Sequence, residues 1–427
     1  MSPEQSDCFF SRSRGKDIAR TVVFRRLTQV CVFLLLMVPL LPARMAKTND
    51  VGPERLVVIG DVHGDFDDFA SLLKRAGLVN DENHWSGGAT VLVQTGDVID
   101  RGPKSREAMD LLMNLEKEAA TAGGRVVPLL GNHEIMNVIG DLRYVPPQEY
   151  ASFADGDSEK RRESAYQQYA AWYASHAKLL ANLKQPLPLA TEEEWKTTHP
   201  PGFLELQEAF SASGTYGKWI RNRNAVAKIG SILMLHGGID PDSGRLSVEE
   251  INSQVRKELQ QFDRTMRDLV SRKVLLPFFT LPEMLVAVQA ELSREHSGLP
   301  FDADYHNSLV WLLTFNNWLC MKDNGPLWFR AYDRWSEEEG GPLIDKVLAY
   351  YGVKHVIVSH TVQKTAHIKS RFSGKVFLID TGMLSSYWPG GQASALDIRG
   401  GKFTALYLGG QEVLLDDKPP ESPAKEN

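Results

Sequence analysis

The chain has 427 residues, and its hydrophobic content of 43% and charged content of 24% are ordinary for a globular protein. The formal net charge of −6 provides no basic footprint for a nucleic acid, so we expect no nucleic-acid partner. Two of the three cysteines lie in the first 50 residues, which leaves Cys320 alone in the remaining chain and excludes a disulfide within it.

Residues 1–50 differ in composition from the rest and are predicted to form a separate leader. A polar stretch with several arginines precedes the apolar run Val30–Leu41. At about 12–15 residues, this run is shorter than the roughly 20 of a spanning helix and typical of a signal-peptide core. A secretory signal peptide, a short membrane anchor through residues 27–43 and an organelle presequence remain open. We therefore expect a location in the secretory pathway or membrane anchorage, with an organelle as the alternative.

The first predicted strand, Arg55–Gly60, is followed on a turn by Asp61 and His63. Because these residues are two apart, both side chains can converge on one ion. Oxygen and imidazole donors together favour Mn, Fe or Zn over Mg or Ca. In isolation, an Asp and a His at this spacing are more often solvent-exposed polar residues than a pair of metal ligands. Its position between a strand and the predicted helix Asp67–Ala76 favours a metal site.

The second predicted strand begins at Val91 and stops at Gly96, and three charged residues follow it closely: Asp97, Asp100 and Arg101. Open α/β sheets bind ligands at the carboxyl edge of their strands, where these residues fall. Asp97 stands where two metal ions could share a carboxylate. Asp100 could orient an imidazole, and the planar fork of Arg101 suits a phosphate.

After a predicted helix, Ser105–Ala122, the third strand, Arg125–Leu130, leads into Asn132 and His133. The alternation of strands and helices predicts a largely parallel sheet. Asn132 offers a neutral carbonyl oxygen to a cation. His133 is placed as a proton donor, and Asp100 is the natural partner to fix its tautomer.

Three motifs, Gly-Asp-x-His-Gly, Gly-Asp-x-x-Asp-Arg-Gly and Gly-Asn-His-Glu, each close a strand, and together they resemble the calcineurin-like metallophosphoesterases. Asp100 and Arg101 narrow the resemblance to the phosphoprotein phosphatase branch. The resemblance implies an α/β fold in which a β-sandwich is flanked by helices. We assign this domain to residues 51–412, with helical insertions at about 141–224 and 245–322. Residues 413–427 are predicted to be a disordered tail.

Two further histidines follow apolar runs: His236 after Ala227–Leu235 and His360 after Val356–Ser359. A lone histidine in such a place is usually structural. Here the two complete the five-motif set of the family, so the resemblance implies that both are metal ligands.

The segment Gly325–Arg330, with the pattern Gly-Pro-Leu-Trp-x-Arg, is similar to one in the Shewanella-like, bacterial-like protein phosphatases. That similarity implies that Arg330 holds phosphate, and a buried structural guanidinium remains the alternative. The family resemblance as a whole covers about Arg55 to Leu408.

The resemblance implies a two-metal phosphomonoesterase in which a hydroxide that bridges the ions attacks phosphorus in line. One ion would be held by Asp61, His63 and Asp97, and the other by Asp97, Asn132, His236 and His360. Arg101, Arg330 and Asn132 would contact the phosphate. His133, oriented by Asp100, would protonate the leaving oxygen.

For the substrate, the resemblance implies a phosphoprotein or phosphopeptide, with a phosphotyrosine preference in some members of the Shewanella-like group. A nucleotide hydrolase of the diadenosine tetraphosphatase kind shares the same motifs and is the alternative. A membrane-tethered protein that binds phosphoproteins without hydrolysing them is a third possibility. No local pattern distinguishes phosphoserine, phosphothreonine and phosphotyrosine.

Overall fold

A computed structural model of the chain describes residues 52–184, 188–243, 245–295 and 302–417. The chain divides between Asn49 and Asp50 into two units, and the described residues belong to the second. The predicted leader, with its possible membrane attachment at 27–43, therefore lies outside the described residues. Within the ranges given above, no helix combines the length and the apolar character that a membrane crossing requires.

The strands of the described residues form two mixed sheets. In chain order they are β1 (Arg55–Ile59), β2 (Val91–Gln94), β3 (Arg125–Pro128), β4 (Val226–Ile229), β5 (Ile232–Leu235), β6 (His355–Val358), β7 (Lys369–Arg371), β8 (Val376–Leu378), β9 (Ser394–Arg399), β10 (Lys402–Tyr407) and β11 (Gly410–Asp416). The first sheet has the order β11-β10-β9-β1-β2-β3, and the second has the order β4-β5-β6-β8-β7.

Helices connect and surround these sheets. In chain order they are α1 (Phe66–Arg75), α2 (Ser105–Thr121), α3 (Asn132–Val138), α4 (Pro147–Phe153), α5 (Ser158–Leu180), α6 (Glu192–Thr198), α7 (Phe203–Phe210), α8 (Thr215–Arg221), α9 (Val248–Ser271), α10 (Leu281–Glu295), α11 (Ala303–Leu313), α12 (Ala331–Arg334) and α13 (Glu337–Tyr351). A short 3-10 turn spans Phe315–Asn317. Helices α4–α8 lie within the first predicted insertion, and α9–α11 lie within the second.

The parallel pairing predicted from the order of elements holds only for part of each sheet. Strands β1, β2 and β3 are parallel, but β9, β10 and β11 add an antiparallel meander to the edge of β1. The link from β9 to β10 is Gly400-Gly401, with φ of 52° and 84°. Two residues with positive φ favour the tight turns that join antiparallel strands, whereas parallel strands require a longer crossover.

The two faces of the sheets are buried in different hydrophobic clusters. Along β1, Val57 and Ile59 belong to a cluster that includes the apolar faces of helices. Leu56 and Val58 point the other way, into a cluster that they share with Met234 of the second sheet. This alternation follows from the two-residue period of a strand. The sheets therefore pack face to face with helices outside, which confirms the predicted α/β sandwich.

The end of the folded part differs from the prediction. Strand β11 pairs with β10 as far as Asp416, so the disordered tail predicted from residue 413 begins too early. The hydrophobic residues Leu414 and Leu415 pack against the cluster between the sheets, which explains why the chain remains ordered there. Residues 418–427 lie outside the described residues.

Candidate metal centre

Five strand ends converge at one edge of the sandwich. Each of strands β1, β2, β3, β5 and β6 is followed within a few residues by side chains of the metal-ligand type, and all of them are buried: Asp61, His63, Asp97, Asn132, His133, His236 and His360. The structure therefore brings together every ligand that the sequence predicted from separate strand ends.

The tautomer of His236 identifies a group of electron-pair donors that face one another. Its Nδ1 lies 3.0 Å from the carbonyl oxygen of Thr95, to which it donates, so in the neutral ring Nε2 carries a lone pair. Burial lowers the pKa of His236, but the carboxylates of Asp97 and Asp61 outweigh it and raise the pKa, so a proton on Nε2 takes the place of a metal ion when none is bound. That lone pair faces Asn132 Oδ1 at 3.0 Å and Asp97 Oδ2 at 3.2 Å. His360 Nδ1 lies 3.0 Å from the same nitrogen. Buried acceptors crowded against one another are stabilised by a cation among them.

A second group has the same character. His63 Nδ1 lies 3.0 Å from the carbonyl oxygen of Ile99, which leaves the Nε2 lone pair directed into the site. Nε2 lies 3.8 Å from Asp61 Oδ2 and 3.8 Å from Asp97 Oδ2. Asp97 thus belongs to both groups, the arrangement expected of a carboxylate that bridges two ions.

The donor sets fit two divalent metal ions. The ligand atoms of His63, Asp97 and His133, and those of Asp97, His236 and His360, each lie within 4.8 Å of one another. Mixed oxygen and imidazole nitrogen donors suit divalent transition metals and zinc. The distances place His133 in the set with His63 and Asp97, although the sequence analysis assigned it the role of a proton donor.

The environment of His133 suits a proton donor. Its Nδ1 lies 2.7 Å from Asp100 Oδ2, and the other oxygen of that carboxylate accepts from Asn137 Nδ2 at 2.9 Å. Burial alone would lower the pKa of His133, but the carboxylates of Asp97 and Asp100 outweigh it and raise the pKa above its ordinary value. Nε2 accepts from Arg101 Nη2 at 3.2 Å, and Arg101 in turn lines the open cleft of the site.

Three arginines, Arg101, Arg330 and Arg334, line the adjoining cleft, which has a volume of about 290 Å³. The guanidinium of Arg101 lies 3.8 Å from the centre of the Tyr387 ring and 5.3 Å from that of Tyr144. Arg330 donates to the carbonyl oxygen of His360 at 2.6 Å. Arg330 therefore has the backbone contact of a structural guanidinium and also faces the cleft.

The backbone of the site is strained where it presents these side chains. His63, Asp97, Asp100, Arg101 and His360 all have positive φ, between 50° and 70°. Residues with a Cβ rarely adopt this conformation, and such strain persists where function requires a fixed side-chain direction.

A glycine permits close packing of the loops that carry these residues. A Cβ on Gly131, directly before Asn132, would lie 2.1 Å from Asp97 Oδ1. That distance is far inside van der Waals contact, so a larger residue would displace the shared carboxylate.

Sequence reasoning missed three residues of the site. Asp380 is buried beside Asp61, burial raises its pKa to about 6, and its Oδ2 has no hydrogen-bond partner. Its place two residues after β8 repeats the strand-end pattern and was a usable signal. Asn137, the partner of Asp100, and Tyr387, which covers Arg101, had no such signal because their roles depend on tertiary contacts.

Comparison with known proteins agrees with this geometry. A family model described as calcineurin-like phosphoesterase matches residues 54–364. Shewanella-like protein phosphatase 2 of Arabidopsis thaliana is 28% identical over 363 residues, which cover 83% of this chain and 77% of that protein. A symmetrical bis(5'-nucleosyl)-tetraphosphatase of Nitrosococcus oceani is 36% identical over only 80 residues, 19% of this chain and 24% of that protein.

Among solved structures, the cold-active protein-tyrosine phosphatase of a psychrophilic Shewanella species is similar, with a TM-score of 0.53 and 24% sequence identity. The match covers 85% of this chain and 81% of that one, and it supports the fold. The residues that the family model matches run from before Asp61 to beyond His360 and so include both groups of ligands. The chain therefore belongs to the calcineurin-like phosphoesterase family.

Proposed function

We propose that the protein is a two-metal phosphoprotein phosphatase. The observation that carries the proposal is the position of Asp97 between two groups of buried metal-ligand side chains, in a cleft that Arg101 and Arg330 also line and beside the His133–Asp100 pair. Family membership supplies the reaction class, phosphoester hydrolysis. The similarity to a relative named a protein phosphatase supports a phosphoprotein substrate.

In this proposal, Asp61, His63 and Asp97 hold one ion, and Asp97, Asn132, His236 and His360 hold the other. Manganese, iron and zinc all suit these donors. When bound, two such ions lower the pKa of water to supply a nucleophile and neutralise charge on the phosphoryl group. The chain's part is to fix the ligand directions, through the Thr95 and Ile99 carbonyl groups that set the two histidine tautomers.

The phosphate is bound by the arginines of the cleft. The guanidinium of Arg101 lies over the Tyr387 ring, 3.8 Å from its centre, and the side chain lines the cleft, so it has little freedom to lose on binding phosphate. Arg330 is anchored at the His360 carbonyl group by Nη1, its Nη2 lies 3.5 Å from His360 Nδ1, and the side chain lines the cleft. Both guanidinium groups stabilise the negative charge of the transition state. The sequence also predicted a phosphate contact for Asn132, but in this structure its amide nitrogen faces Met136 Sδ at 3.8 Å.

The leaving group receives its proton from His133. Asp100 accepts from Nδ1, so the transferable proton is the one that doubly protonated His133 carries on Nε2, and in that state Nε2 no longer accepts from Arg101. Without this proton the leaving oxygen departs as an alkoxide, and a positioned general acid contributes about 10²–10⁴ in rate.

The test is hydrolysis by the full-length, manganese-loaded protein of a phosphotyrosine peptide, a phosphothreonine peptide and diadenosine tetraphosphate at equal concentration. We expect one of the two peptides to be hydrolysed with the highest kcat/KM. Which peptide is preferred shows whether the enzyme acts on phosphotyrosine or on phosphothreonine. A preference for the dinucleotide would contradict the proposal and favour nucleotide hydrolysis. That alternative is supported by the short tetraphosphatase match and by two aromatic side chains on which a base could stack, Tyr387 and Trp388.

The location of the protein is a separate proposal. We propose that residues 27–43 direct the chain to the secretory pathway or attach it to a membrane, because of the apolar run and the basic residues before it. Fractionation of cells that produce the full chain, with sequencing of the mature N-terminus, tests this. A cytosolic protein with an intact N-terminus would contradict it.

A further inference from the structure

A second cavity, of about 710 Å³, lies at the C-terminal end of α3 and shares no lining residue with the phosphate cleft. Its volume is within the range of about 300–1,000 Å³ that is common for small-molecule sites. Residues 137–140 form one side, α7 and the turn after it form another, and α9 and the segment before α10 complete it.

The lining is mainly apolar and adaptable. Phe210, Phe262 and Phe279 are each less than 5% exposed and supply rigid aromatic surface. Met266 and Met284 add flexible thioether side chains, which adjust to ligands of different shape. This surface suits a hydrocarbon body.

The polar groups of the lining that have no partner are donors. Gln207 Nε2 is buried and makes no hydrogen bond, and an unsatisfied buried donor costs about 1–3 kcal/mol. Arg267 is exposed at the cavity and, within the described residues, has no hydrogen bond or ion pair. Arg221 and Asp263 also line the cavity, but they form a closed pair with contacts of 2.9 and 2.8 Å and require no ligand.

We propose that this cavity binds a small amphipathic carboxylate. The apolar body lies among the phenylalanine and methionine side chains, and the carboxylate accepts from Gln207 and pairs with Arg267. The ligand is expected to be an anion because the unpartnered groups are an amide N–H and a cation. A ligand with a neutral or cationic head group would leave Arg267 unpaired. The site is independent of the proposed phosphatase activity, although Asn137 lines the cavity and also donates to Asp100.

Calorimetric titration of the full-length protein with dodecanoate tests the proposal, with dodecanol as the neutral analogue. Saturating inorganic phosphate is present throughout, so that the carboxylate does not bind at the metal centre. We expect one dodecanoate per chain, and Arg267→Gln or Gln207→Leu weakens its binding about tenfold. Arg264→Gln is the matched control, because Arg264 is an exposed arginine of α9 that does not line the cavity. Dodecanol binds more weakly and is insensitive to Arg267→Gln.

A substitution that fills the cavity locates the ligand. Val270→Trp places a large ring in the cavity and removes the binding of both compounds, with folding checked by thermal unfolding. If Val270→Trp does not fold, Arg267→Gln and Arg264→Gln still decide the result. Absence of saturable dodecanoate binding would overturn the proposal. Equal weakening by the two arginine substitutions, or binding that survives a folded Val270→Trp, would do the same. None of these measurements uses phosphatase activity. A negative result would therefore contradict the carboxylate site and would not bear on the proposed phosphatase function.

Discussion

The metal centre and the helical insertions both bury charged groups, but they treat those groups in opposite ways. In the insertions, Asp263 receives two hydrogen bonds from Arg221, and the Glu258 carboxylate accepts from the backbone N–H groups of Leu319 and Cys320. At the metal centre, the lone pair of His236 instead faces the oxygen atoms of Asn132 and Asp97.

The difference shows in which region the chain itself provides partners for its buried charged groups. Buried charges that are paired within the chain stabilise the position of a helix and require nothing more. Buried acceptors that face other acceptors are costly until a cation binds among them. Of these two sets of buried charged groups, only that of the metal centre therefore requires a bound ion.

The largest effect is expected from the carboxylate that belongs to both ligand groups. Asp97→Asn should lower kcat/KM for a phosphopeptide by about 10⁴-fold or more, which corresponds to about 5.5 kcal/mol, because it disturbs both ions. Asp81→Asn, the same change at an exposed acid in a turn, should have no effect. Normal activity of Asp97→Asn would show that the facing acceptors are not a metal site.

The next effect concerns proton donation. His133→Asn should lower kcat by about 10²–10⁴-fold for a phosphoserine peptide, whose leaving oxygen needs a proton. The loss should be much smaller for 4-nitrophenyl phosphate, whose leaving group is stable as an anion. His84→Asn, at an exposed histidine that contacts Glu118, is the control. An equal loss with both substrates would argue that His133 acts as a ligand or structural residue instead.

Within the insertions, Glu149 differs from Asp263 and Glu258, because one of its buried carboxylate oxygens has no partner. This residue of α4 accepts from the backbone N–H of Ser105 through one oxygen, while Oε1 is buried without a partner. Burial raises its pKa from 4.5 to about 7. The unfolded chain therefore loses this proton at lower pH than the folded chain, so stability falls as pH rises from about 4.5 to 7.

Glu149→Gln removes that dependence. Between pH 5 and pH 8, the free energy of unfolding of the unchanged protein should fall by about 2–4 kcal/mol more than that of Glu149→Gln. Urea denaturation at several pH values measures both, and the pH dependence of all other groups cancels in the difference. Parallel pH profiles would mean that Glu149 is ionised in the folded protein with little penalty.

The smallest effect concerns the ring that covers Arg101. Tyr387→Leu removes a cation–π contact of about 0.5–1 kcal/mol at a partly exposed position and should raise KM for 4-nitrophenyl phosphate about two- to fivefold. Tyr387→Phe keeps the ring and should leave KM unchanged. A KM that rises equally in both variants would assign the effect to the hydroxyl group rather than to stacking on Arg101.

The sequence predicted the metal centre better than its surroundings, for a physical reason. The carboxyl ends of the parallel strands β1, β2 and β3 meet at one sheet edge, so local patterns were enough to predict that Asp61 and Asp97 lie together. His236 and His360 follow strands of the other sheet, and only the family resemblance identified them as ligands. The same patterns placed α2 at Ser105–Ala122, and the structure ends it one residue earlier. The contact of Tyr387 with Arg101, and the cavity between α3, α7 and α9, depend on packing between distant segments and leave no local signal.

The sharing of Asp97 by two ions is tested by counting the metal ions that the protein binds. The full-length protein is stripped of metal, titrated with manganese and measured by mass spectrometry after removal of free metal. We expect about two ions per chain, about one in His63→Asn and in His236→Asn, and almost none in Asp97→Asn. Two ions retained by Asp97→Asn, or only one in the unchanged protein, would contradict a shared two-metal centre.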